Sequence, residues 1–81
     1  MTPRAVPAVT RAVAILRLLG RAKTPMGMKA IAQALDLVPS TALHILRALV
    51  AEELVAVDAS KRYRLGLGTL ALGYAFRRRL T

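Results

Sequence analysis

Ser40, His44, Arg47 and Ala51 recur at i, i+4, i+7 and i+11, a spacing that puts them on one narrow strip of a helix. Ala42, Ile45, Leu46 and Leu49 fall on the opposite side, so one face is small, polar and basic and the other aliphatic. The exposed strip offers hydrogen-bond donors with little bulk between them. Small residues permit close approach to a grooved polyanion, an arginine can make a bidentate contact to guanine, and a histidine can donate to a base or a phosphate. Ser40 and Thr41 stand near the helix N-terminus, where free backbone N–H groups also favour phosphate. A polar strip is equally what any surface helix shows.

Other chemistry lacks its residues. There is no cysteine, hence no thiolate, disulfide or cysteine nucleophile. His44 is the lone histidine, and the four acidic residues, Asp36, Glu52, Glu53 and Asp58, give it no metal-ligating companions. Its place on the polar side of the helix argues for a surface contact over a buried role. No catalytic residue, cofactor or metal is expected, and a non-enzyme is predicted.

A second basic cluster, Lys61, Arg62 and Arg64, follows the turn Asp58-Ala59-Ser60-Lys61. Lys61 and Arg62 stand where side chains reach a minor groove or flanking phosphates. Alternation sends Arg64 to the face opposite Tyr63 and Leu65. Such charges also serve to keep a short edge strand from aggregating.

Eighty-one residues make one domain, and 56% hydrophobic content suffices for a core. Thirteen Lys and Arg against four Asp and Glu give a formal charge of +9, and ten of the thirteen are Arg. A field of that sign draws nucleic acid or an anionic membrane surface. Residues 65–76, the longest uncharged stretch, contain three glycines and fall short of the roughly 20 apolar residues of a membrane span. Arg11 and Arg17 interrupt what would be the apolar core of a signal peptide. A cytoplasmic protein without membrane association is expected.

The elements that must position these residues follow from periodicity. Residues 1–8, with two prolines, are predicted as a flexible arm. Val9, Ala12, Val13, Leu16, Leu19 and Gly20 form the inward face of a first helix ending near residues 20–22. Residues 23–27 break it. A short helix over residues 28–35 points Ile31, Ala34 and Leu35 inward. Asp36 opens a tight connection with a backbone that Asp tolerates, and a third helix runs from Pro39 or Ser40 to about Glu52. Residues 54–57 and 62–65 make a β-hairpin. A last helix begins at Leu67, with Leu67, Leu70, Ala71 and Tyr74 docking it on the domain. Leu72 and Phe76 lie elsewhere on that helix and are predicted to join a symmetric partner. The fold class is therefore mainly α with a small hairpin: a winged helix-turn-helix over residues 9–66 and a linker or dimerisation helix over residues 67–81.

The stretch from Val9 to Gly73 resembles the DNA-binding domains of IclR-type bacterial transcription factors. Three segments carry the likeness: Val9-Thr-Arg-Ala-Val-Ala-Ile-Leu16 as the opening helix, Ile31-Ala32 through Ser40-Thr41 to Leu46 and Leu49 as the helix-turn-helix, and Tyr63-Arg64-Leu65-Gly66 with Leu70 and Leu72-Gly73 as the second wing strand and linker helix. The resemblance implies a homodimer or tetramer that binds double-stranded DNA to regulate transcription, with Ser40 and Thr41 at the recognition helix and Arg11 on a backbone phosphate. His44 replaces a usual arginine, and Glu53 a glycine often found before the first wing strand. The sensing domain of the family is not in this chain, so no effector pocket is expected. A membrane-surface helix protein, and a winged helix that binds RNA or protein, are the rival classes.

Overall fold

The structure, a computed structural model, describes residues 4–80. Its elements are α1 (Pro7–Arg21), β1 (Met26–Gly27), α2 (Met28–Ala34), α3 (Pro39–Ala51), β2 (Val55–Val57), β3 (Arg62–Leu65) and α4 (Leu67–Arg78). The core gathers Ile15 and Leu19 of α1, Ile31 of α2, Leu46 and Leu49 of α3, Val55 of β2 and Tyr63 of β3. One apolar residue or pair from each of these five elements thus closes a single centre. None of the four helices has a side-chain hydrogen bond at its N-cap.

The first helix departs from expectation at both its start and its face. It begins at Pro7, taking in two residues assigned to the arm; proline at the first helical position loses no hydrogen bond. Residues 1–3 of that arm lie outside the described residues. Ile15 and Leu19 are buried, flanked by half-buried Ala12, Leu16 and Leu18, whereas Val9, Val13 and Gly20 are exposed. Two apolar stripes run side by side on α1, and only the one containing Ile15 meets the core. On α2 the buried residues are Ile31 and Ala32, and Ala34 is exposed rather than inward.

The two central helices end alike. At the end of α2 the Leu37 N–H donates to Ala32 O (2.8 Å) and Asp36 N–H to Gln33 O (3.3 Å); at the end of α3 Leu54 N–H donates to Leu49 O (3.0 Å) and Glu53 N–H to Val50 O (2.9 Å). Both are Schellman closures, which require a left-handed residue after the cap. That position is usually glycine, yet here Asp36 (φ 54°) and Glu53 (φ 63°) fill it. The chain turns by 113° between α2 and α3, within the range of a helix-turn-helix.

The predicted hairpin is present, and a third strand joins it. β3 pairs antiparallel with β2 (Val57↔Tyr63, Ala56↔Arg64, Val55↔Leu65) and, on its other edge, with β1 (Met26↔Tyr63, Gly27↔Arg62). The segment expected only to break α1 therefore also makes the wing three-stranded, in the order β1-β3-β2.

The last helix does not dock along its length. No residue of α4 is buried, and Leu67 and Leu70 of the supposed docking stripe are 79% and 68% exposed. It is held at its start, where Gly66 N–H donates to Leu54 O (2.9 Å) and Gly68 N–H to Glu53 O (2.8 Å). Leu67 and Leu70 line one wall of an open groove of about 460 Å³ facing Val50, Val55 and Ala56.

Candidate nucleic-acid interface

Helix α3 is built with two unlike sides. Pro39 occupies its first turn, preset for helical φ and without an N–H to satisfy. Ala42, Leu46 and Leu49 are buried, while Ser40, His44, Arg47 and Ala51 are exposed. The strip marked out by sequence spacing is therefore a solvent-facing edge of a helix whose back is fixed in the core. Thr41 separates from Ser40: it is half-buried, so the pair does not present two equal hydroxyls. The first helical hydrogen bond is from Ala42 N–H to Val38 O (3.0 Å), which leaves the N–H groups of Ser40 and Thr41 outside the helix ladder.

The wing is fixed to the helices because β2 packs on α3 and β3 on α1. Its loop is shaped by Asp58. The carboxylate Oδ1 accepts from the backbone N–H groups of Ser60 (2.8 Å) and Arg62 (3.0 Å). The Lys61 N–H donates to Asp58 O (3.0 Å) and the Asp58 N–H to Arg62 O (2.9 Å). Lys61 takes the left-handed backbone (φ 59°) that such a short hairpin loop requires at its bulge position. Lys61 and Arg62 are both exposed at this tip.

Arg64 proves exposed as well, on the same face of β3 as Arg62, because both alternate with buried Tyr63. Arg11 is exposed on α1. Leu72 and Phe76 are 65% and 67% exposed on α4. No group of three metal-ligating side chains occurs among the described residues. No single helix there is long and apolar enough to cross a membrane; α2 and α3 are so only in combination, and their apolar residues are spent on the core.

A polar helix edge following a tight turn, with a basic hairpin next in the chain, is the layout of a winged helix-turn-helix. The profile of the IclR helix-turn-helix domain matches residues 8–59.

The chain belongs to the IclR family.

The matched region is the helix-turn-helix domain of that family. Over 74 residues the chain is 43% identical to the glycerol operon regulatory protein of Streptomyces griseus, covering 90% of this chain and 29% of that protein. It superposes on the IclR transcriptional regulator of Alicyclobacillus acidocaldarius with a TM-score of 0.83 and 37% identity, over 88% of this chain and 29% of that one. For the repressor BlcR of Agobacterium tumefaciens the TM-score is 0.81 at 30% identity, over 88% of this chain and 28% of that one. The chain thus spans under a third of the length of these IclR-type relatives.

Proposed function

We propose that this domain inserts the exposed edge of α3 into the major groove and lays its wing on the adjoining backbone or minor groove. The supporting observation is the two-sided burial of α3: Ala42, Leu46 and Leu49 anchor the helix while Ser40, His44 and Arg47 face outward together. Arg47 reads guanine through two parallel N–H donors. His44 donates to a base or phosphate, and Ser40, Thr41 and Arg11 hold phosphates that fix the register of the helix. Lys61 and Arg62 grip the flanking minor groove or its phosphates. The domain acts by binding, with no catalytic step, in the cytoplasm where the bacterial chromosome lies.

Two copies act together in this reading. Leu72 and Phe76 are large apolar side chains left in water at i and i+4 on α4. Pairing them with the same residues of a second copy generates a two-fold dimer that spans two half-sites. In a longer protein like the operon regulators it resembles, this contact would direct control to particular promoters.

Selection of bound sites from a random duplex library tests both parts. A palindromic consensus is expected. A consensus with a single unrepeated half-site overturns the dimer, and no enrichment at all overturns sequence-directed recognition.

A further inference from the structure

We infer that Arg64 is a second phosphate-binding arginine of the wing, forming with Arg62 a two-rung ladder on the outer face of β3. This rests on the proposed placing of the wing against DNA, and it extends the contact from the hairpin tip to the flat face of the sheet.

Four observations carry it. Arg62 and Arg64 are i and i+2 on one strand, so both project from the face opposite buried Tyr63. Two residues of strand separate their Cα atoms by about 6.6 Å, far enough for the guanidinium groups to take neighbouring phosphates rather than compete for one. The residues paired with them are the smallest available: Gly27 is opposite Arg62 and Ala56 opposite Arg64. A Cβ built on Gly27 would meet nothing within 4 Å. No bulky neighbour on that pairing therefore holds a polyanion away from the two arginines.

The acidic groups nearby do not close this face. Asp58, the only acidic residue of the hairpin, turns its Oδ1 to the N–H groups of Ser60 and Arg62. Glu53, between α3 and β2, lines the same groove as Arg64, so the ladder is more positive toward Arg62 than toward α4. Charge complementarity selects the occupant: a run of phosphates along one strand of a duplex.

The test is the salt dependence of duplex binding by the full chain, measured for the wild type, Arg64→Ala, Arg64→Lys and Arg62→Ala on a selected site and on a scrambled duplex. Each phosphate contact contributes about 0.9 to the slope of log affinity against log salt. The expected result is a slope lowered by about 0.9 in Arg64→Ala and in Arg62→Ala, equally on both duplexes, and retained in Arg64→Lys. Thermal melts of the variants accompany the titrations, since both side chains are exposed and their loss leaves the fold in place. A wild-type slope that is already shallow sinks the wing reading itself. A steep wild-type slope unchanged by Arg64→Ala, or lowered only on the selected site, overturns the ladder alone.

Discussion

The backbone N–H of Gly68 donates a 2.8 Å hydrogen bond to the carbonyl oxygen of Glu53. Together with the bond from Gly66 N–H to Leu54 O, it ties the start of α4 to the segment between α3 and β2. It demands close approach. A Cβ on Gly68 would lie 2.7 Å from Glu53 O, and one on Gly66 only 2.4 Å from the same atom. The obstacle is backbone, which has no rotamer to move. Gly66→Ala and Gly68→Ala are each expected to cost about 2 kcal/mol or more, lowering the melting temperature by roughly 10 °C in a domain of this size. An unchanged melt would show that α4 is not held here.

Glu53 and Asp36 occupy left-handed positions that disfavour a side chain. The left-handed backbone costs an ordinary residue roughly 1–2 kcal/mol, partly offset in glycine by its larger loss of chain entropy. Glu53→Gly is expected to raise stability by about 1 kcal/mol in denaturant unfolding. Asp36→Gly is expected to gain less, because aspartate tolerates this conformation better. The order of the two gains is the measurable point.

The loop of the wing separates geometry from charge at Asp58. Asp58→Ala removes the acceptor for two backbone N–H groups and is expected to cost about 1 kcal/mol. Asp58→Asn keeps an acceptor oxygen and removes a negative charge beside Lys61 and Arg62. It is expected to leave the melting temperature nearly unchanged and to tighten binding to every duplex at low salt, less so as salt screens the field. Weaker binding by the asparagine variant at low salt would contradict the placing of the tip on DNA.

Arg47 is exposed and takes no part in the core. Arg47→Ala is expected to leave the fold intact while costing about 1–3 kcal/mol on the preferred site and relaxing sequence preference at one position. Equal loss on every duplex would assign Arg47 to phosphate instead of base.

Leu72→Glu combined with Phe76→Glu places four like charges in the proposed two-fold contact. Sedimentation is expected to show a dimer for the wild type and a monomer for the double variant, with half-site binding retained. A wild-type monomer at high micromolar concentration, with and without duplex, removes the interface.

Much of this architecture is legible in the residue order because strong local signals agree with the packing. The aliphatic side of α3 is contiguous in its wheel and meets the core intact. Asp36 marks its own turn, and the alternation around Tyr63 marks β3. What was not legible depends on partners distant in sequence. β1 is two residues long, too short for any period, and exists only because Arg62 and Tyr63 offer it an unpaired edge. Helix α1 carries adjacent apolar stripes, and the position of α3 and β3 decides that Ile15, not Val9 or Val13, goes inside. Helix α4 has enough apolar residues for docking. Its anchorage through the first turn alone sets a direction that leaves Leu67 and Leu70 largely in water, which periodicity cannot foretell. At the candidate interface, the half-burial of Thr41 reflects its place at the edge of the core side, invisible in a Ser-Thr pair read as a unit.

All four helices begin without a side-chain cap. Helices α1, α2 and α3 therefore draw their persistence from the shared interior, with little of their own to fall back on. A synthetic peptide of residues 39–51 should give the circular dichroism of a coil, and the intact domain should melt in one cooperative step. The reading head of such a regulator is then an all-or-none object: it is whole and competent, or it has no groove-sized rod to offer.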